Sequence, residues 1–165
     1  VAVTTIAVTG HLDLTDGTVP LVRAALDTLL RPYAADGRLV GVSCVAKGAD
    51  TLFAEAVLAL GGRLVVVTPS RDYRRNTVEA EHGASYDRLV AAAAEVVALP
   101  YETAARQAYE AANAVLVERA DRLVAVWDGA PPTGNGGGTA DAVLDARAAG
   151  VPVDVVWPDG AARRG

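Results

Sequence analysis

Five short runs of aliphatic and β-branched residues recur along the chain: "TTIAVTG" (4–10), "RLVGVSCVA" (38–46), "RLVVVTP" (63–69), "RLVAVWDG" (122–129) and "VPVDVVWP" (151–158). They are nearly continuous in apolar residues and do not alternate, which is the pattern of strands covered on both faces of a parallel sheet. A weaker run, "VVALP" (96–100), predicts a further short strand. The alanine-rich stretches between them predict helices over 18–35, 50–61, 79–95, 103–120 and 139–149, the first with Val22, Leu26, Leu29 and Leu30 on one side. Strand and helix in alternation make βα units, so the expected class is α/β: a Rossmann-like open, mostly parallel sheet with helices on both faces. Punctuation agrees with this division. Asp50 and Thr51 stand before an apolar run as its cap, Gly61 and Gly62 close it, and Gly150 followed by Pro152 closes the last helix. Residues 1–158 read as one domain and 159–165, "DGAARRG", as a flexible, solvated tail.

Composition sharpens this picture. The chain has 165 residues, enough for one domain with its own core, and 52% hydrophobic residues against only 5% aromatic ones, so strands and helices must pack through Ala, Val and Leu. The formal charge of −5 opposes broad contact with a phosphate backbone, and nucleic acid is therefore expected to be an unlikely partner. The single cysteine, Cys44, sits inside an apolar run and reads as a buried strand residue in a reducing compartment. No stretch has the length of a membrane span and the start lacks a signal-peptide pattern, so a cytoplasmic protein with no membrane partner is expected.

In an open parallel sheet the ligand site lies beyond the carboxyl ends of the strands, and the residues that follow each strand are the candidates. These are Gly10 and His11; Lys47, Gly48 and Asp50; Pro69, Arg71 and Arg74; and Asp128 and Gly129 leading through a glycine-rich loop, Gly136-Gly137-Gly138, to Thr139 and Asp141. Glycine lets backbone N–H groups approach phosphate oxygens, and the start of the next helix adds unpaired donors and positive partial charge. Arg71, Arg74 and Arg75 supply bidentate phosphate donors. Tyr109 and Asn113, four apart on the helix before the loop, share a face that can meet a base or ribose. His82, among Glu79 and Glu81, lacks metal-ligand spacing, and no metal is expected.

"GVSCVAKGADTLFAEAVLALGGRLVVVTP" together with "ADRLVAVWDG…GGGTADAVLDARAAGVPVDVVWP" resembles the SLOG superfamily of Rossmann-like domains over about residues 4–158. That superfamily includes the "lonely guy" phosphoribohydrolases, molybdenum-cofactor carrier proteins, the DNA-processing protein A core and sensors of nucleotide-derived signals. The resemblance implies a nucleotide or nucleotide-like phosphate ligand over the strand ends, and a homo-oligomer. The phosphoribohydrolase motif PGGxGTxxE carries a catalytic Glu, with an Arg on the preceding helix; Ala142 and Ala112 stand at those places here, leaving Asp141 as the nearby carboxylate. Two readings follow. The first is a sensor or carrier that binds a nucleotide-derived ligand without strong catalysis; the alternative is a nucleotide N-glycosidase with Asp141 as its catalytic group.

Overall fold

The computed structural model describes residues 2–76 and 80–165. Strands β1 (Thr4–Gly10), β2 (Leu39–Ser43), β3 (Arg63–Ser70), β4 (Glu95–Tyr101), β5 (Arg122–Val126) and β6 (Val153–Val156) form one sheet in the order β4-β3-β2-β1-β5-β6. Every neighbouring pair is parallel.

Successive side chains of a strand point to opposite faces, and here both faces are covered. On one side Ile6 and Val8 meet Val22, Leu26 and Leu30 of α1 (Thr18–Leu30) and Phe53 of α2 (Ala49–Ala59). The same side continues through Leu64 and Val66 to Tyr73 of the short α3 (Tyr73–Asn76) and Leu89 of α4 (Ala80–Ala92). On the other side Ala7, Val42, Val65 and Val67 pack with Ala112 and Leu116 of α5 (Arg106–Arg119) and Ala146 of α6 (Thr139–Ala148). Leu26, Leu30 and Phe53 are fully buried, and each such side chain contributes about 1.5–3 kcal/mol.

From β1 the chain steps outward through β2 and β3 to β4, then returns to place β5 against the other side of β1, pairing Gly10 with Val126. The strand order therefore reverses between β1 and β5, which opens a crevice at their carboxyl ends.

Several boundaries differ from those expected. Helix α1 stops at Leu30, because residues 31–37 make two tight 3-10 turns around Pro32 and a left-handed Asp36 (φ 55°). Strand β2 stops at Ser43, since Val45 is left-handed (φ 54°) and breaks the extended run. Helix α2 begins at Ala49 on a left-handed Gly48 (φ 81°), so Asp50 lies inside the first turn instead of capping it. Residues 159–165, expected as a solvated tail, return to the loop after β1. Thr15 N donates to Ala162 O at 3.1 Å, Arg164 N donates to Asp13 O at 2.7 Å, and Leu14 and Arg163 form an antiparallel bridge.

Candidate functional site

Two hollows meet at the β1–β5 crevice. One, of about 460 Å³, lies between the loop after β1, residues 127–133 and the start of α6. The other, of about 220 Å³, lies among the ends of β1 and β3, the β2–α2 loop and α5. Gly10, Leu12, Gly138 and Thr139 line both, so the glycine-rich turn stands on the ridge between them.

In the larger hollow His11 is buried, edge-on to Trp157 with ring centroids 5.7 Å apart. Its Nε2 lies 3.1 Å from both the Asp128 backbone N and Asp128 Oδ1. The amide donates to Nε2 when the ring carries its proton on Nδ1, whereas the carboxylate accepts from Nε2 when the proton is there, so the Asp128 backbone and side chain hold the ring in place in either form. Burial and the nearby Arg163 guanidinium hold the His11 pKa below its ordinary value, against the opposing pull of Asp128. Arg163 itself bridges Asp13 Oδ1 at 2.9 Å and Asp128 Oδ2 at 3.6 Å, and it lines the hollow. Asp128 also accepts from Ala130 N at 2.9 Å, a bond that keeps its carboxyl below the usual range.

On the ridge, Gly136 and Gly137 are left-handed, at φ 74° and 71°. Gly137 is also pressed against α5: a Cβ there would stand 2.5 Å from Tyr109 Cβ and 3.1 Å from the Tyr109 carbonyl carbon. Only glycine lets the turn lie this close. Gly138 N donates to Asp141 Oδ2 at 3.0 Å and Gly138 O accepts from Asn113 Nδ2 at 3.4 Å, which ties the turn to both helices. The N–H groups of the first α6 turn have no partner within the helix, and Thr139, Ala140 and Asp141, which carry them, line the larger hollow.

The smaller hollow is apolar, with a few polar groups. Tyr73, Tyr109 and Pro69 line it together with Cys44, Asn113 and Asp50. Asp50 is buried, and desolvation raises its pKa to about 7, against the partial counter-effect of the Ala46 N–H that it accepts at 3.4 Å. Burial likewise pushes the Cys44 thiol and the Tyr73 phenol upward. The loop that presents Asp50 is braced: Ser43 Oγ accepts from Val45 N at 3.0 Å and donates to Asp50 O at 3.1 Å. Thr51 Oγ1 donates to Ala46 O at 2.7 Å, and His82 Nε2 lies 3.1 Å from Val45 O. A left-handed β-branched residue costs on the order of 1–3 kcal/mol, and such strain persists where the surroundings fix it.

The fold thus brings Gly10, His11, Asp50, Pro69, Tyr109, Asn113, Gly137, Gly138, Thr139 and Asp141 to one crevice. It does not bring the arginines there. Arg71 pairs with Glu102 at 3.1 Å, and Arg74 pairs with Asp87 at 2.9 Å while covering the Tyr86 ring. Arg71, Arg74 and the exposed Lys47 line neither hollow. Gly48 and Gly129 are left-handed turn residues, Asp128 positions His11, and Gly136 lies over Arg106. Ala142 is fully buried, and Ala112 packs against the sheet and lines the smaller hollow. Arg163, Trp127 and Tyr73 are lining residues that sequence reasoning missed. The signal for Arg163 was its arginine pair in an otherwise small-residue tail. Among the described residues no cluster of potential metal ligands occurs, and no helix is long and apolar enough to cross a membrane.

No family model and no curated protein matches the chain. Solved structures share its fold. DNA processing protein A from Streptococcus pneumoniae superposes with a TM-score of 0.68 at 18% identity over 96% of this chain, which spans 52% of that one. DNA processing protein A from Helicobacter pylori gives 0.68 at 18% identity, covering 98% of this chain and 69% of that one. The structural-genomics target TM1055 gives 0.58 at 21% identity, covering 91% and 72%. The Rossmann-type fold that the motifs implied is the fold observed, and these structures share it. The Helicobacter pylori protein binds single-stranded DNA. That finding corrects the expectation that nucleic acid is an unlikely partner: this fold takes nucleic acid elsewhere, and a sum over formal charges is no bar to it.

Proposed function

We propose that the crevice between β1 and β5 binds a nucleotide unit and that the protein acts as a sensor or carrier without strong catalysis of its own. The phosphate lies against the start of α6 beside Arg163, and the base enters the hollow between Tyr73 and Tyr109. The observation that carries this reading is the left-handed Gly137 turn seated on α5, which sets the start of α6 on the ridge between an Arg-lined and a Tyr-lined hollow. Helix starts favour anions through both donors and dipole, and arginine adds a charge-assisted partner. The N-glycosidase alternative finds less support. Ala142 and Ala112 carry no acid, base or charge, and the Asp141 carboxylate is engaged by Gly138 N.

A second reading is favoured by the single-stranded DNA binding of the Helicobacter pylori protein: the nucleotide unit belongs to a strand. Thermal shift and calorimetry with nucleoside monophosphates, ribose 5-phosphate and a short oligodeoxynucleotide separate the two. At a concentration of about 100 Kd a mononucleotide that binds only the folded state stabilises it by about 2.7 kcal/mol. Much tighter binding of the oligodeoxynucleotide, with an affinity that falls steeply as salt rises, transfers the function to a strand. No response to any of these ligands by folded protein removes both readings.

A further inference from the structure

The smaller hollow contains a group that phosphate binding does not use. Asp50 is buried at its wall, and among the described residues the one hydrogen bond to its carboxyl is the long, 3.4 Å bond from Ala46 N. Among the described residues no fully buried side-chain oxygen or nitrogen lacks a partner, so the other Asp50 oxygen is one that the hollow reaches, and a ligand there can complete it. Across the same hollow Asn113 spends its Nδ2 on Gly138 O, which leaves its Oδ1 as a second acceptor. Tyr73 and Tyr109 add aromatic walls.

Resting on the nucleotide reading above, we infer that Asp50 reads the base, pairing as a protonated carboxylic acid with the amidine edge of adenine or cytosine. A carboxylic acid presents one donor and one acceptor side by side. An amidine edge offers the complement, an acceptor ring nitrogen beside an amino group. The second amino hydrogen then goes to Asn113 Oδ1. Guanine presents two adjacent donors, which call for a carboxylate. Uracil turns a carbonyl toward Asn113 Oδ1, oxygen against oxygen.

Among the described residues the titratable groups that line the hollow with Asp50 are Cys44 and Tyr73, both held protonated by burial, and Tyr109; Lys47, three residues before it, is exposed and lines neither hollow, and His82 Nε2 lies 3.1 Å from Val45 O. With Asp50 titrating at about 7, affinity for AMP falls about ten-fold between about pH 6 and pH 8 as the O–H donor is lost. Ribose 5-phosphate, measured in parallel, subtracts the ionisation of the phosphate itself.

The test is calorimetry of AMP, CMP, GMP, UMP and ribose 5-phosphate at these two pH values. The proteins compared are the parent, Asp50→Asn and Asp50→Leu. An asparagine side chain offers the same donor and acceptor without a titrating proton. Asp50→Asn therefore keeps AMP affinity within about three-fold and flattens its pH profile, and because this variant retains His11 and His82, the lost slope belongs to Asp50. Asp50→Leu brings AMP down to the affinity of ribose 5-phosphate. AMP and CMP bind the parent more tightly than GMP and UMP. A parent profile as flat as that of Asp50→Asn, equal binding of AMP and UMP, or full AMP affinity in Asp50→Leu overturns the assignment while the nucleotide reading stands. Absence of binding by every nucleotide at both pH values overturns both.

Discussion

Replacing Asp50 by asparagine changes stability as well as binding, and the size and sign of the change follow from the fold alone. In the unfolded chain Asp50 releases its proton near 3.8, whereas in the folded protein desolvation holds it until about 7. Between these values the folded state carries a proton that the unfolded state has lost, so the parent loses stability as pH rises through that window and the loss is complete above about 7. At about 1.4 kcal/mol per pH unit the full span amounts to about 4 kcal/mol, which relaxation and water entry reduce to about 2–4. Asparagine keeps the shape and can still accept from Ala46 N, but it has no charge to bury. The assay is urea unfolding of parent and Asp50→Asn at about pH 5, 6, 7 and 8. Groups such as His11 titrate in both proteins and cancel in the difference. Asp50→Asn is expected to gain on the parent by about 2–3 kcal/mol between pH 5 and pH 8. A difference that stays constant across this range refutes the burial of a reluctant carboxyl at this position, and one that shrinks with pH means that the carboxylate has a cationic partner.

Gly137→Val places a Cβ 2.5 Å from Tyr109 Cβ in a left-handed backbone, which costs about 1–2 kcal/mol before any collision is counted. The exposed loop yields before the core does, so nucleotide affinity falls at least about ten-fold while denaturation shows a loss of about 1–3 kcal/mol; parental affinity in calorimetry refutes the cradle. Arg163→Ala removes a cation that lines the larger hollow and helps to depress His11. Affinity for ribose 5-phosphate is expected to fall about five-fold or more, and the His11 titration followed by NMR to move upward, while Arg74→Ala, whose partner is Asp87, changes neither.

What the sequence made legible is what local chemistry decides. β1, β2, β3 and β5 announce themselves because burial on both faces forces an unbroken aliphatic run, and β6, an edge strand with Val155 exposed, is legible from its β-branched valines. β4 is fainter because it is an edge strand with a largely exposed face, where Glu95 and a part-exposed Val96 are tolerated. The end of β2 was illegible for a different reason. Val45 is β-branched and locally prefers the extended state; it is held left-handed by Ser43 Oγ and by His82, which lies 37 residues further along. For Asp50 the sequence offers two places, a helix cap and the ligand edge beyond β2, and the structure keeps the second: the residue lies in the first turn of α2 and lines the smaller hollow. Next to an apolar run it has the form of a helix cap, and only the sheet that buries it turns it into a carboxyl inside a hollow.

The arginines carry the argument furthest. Arg71 and Arg74 follow a strand, as phosphate-binding arginines do, yet each finds a carboxylate on a neighbouring element and stays outside the crevice. Arg163, from a tail that looked solvated, enters it through Asp13, a partner 150 residues away in sequence. Sequence position ranks cations by their neighbours along the chain, whereas a ligand ranks them by distance. The same distinction explains why the net charge of −5 misjudged nucleic acid. Exposed charges beyond roughly 8–10 Å are largely screened at physiological salt, so a phosphate at the start of α6 responds to the few groups within that radius and not to the sum over the surface. Those groups include the α6 dipole, the Asp141 carboxylate in its first turn, Arg163 and the two carboxylates, Asp13 and Asp128, that hold the guanidinium in place. An anion arriving there competes with Asp13 and Asp128 for Arg163, and the balance of that local competition, more than the overall charge of the chain, sets how well phosphate binds.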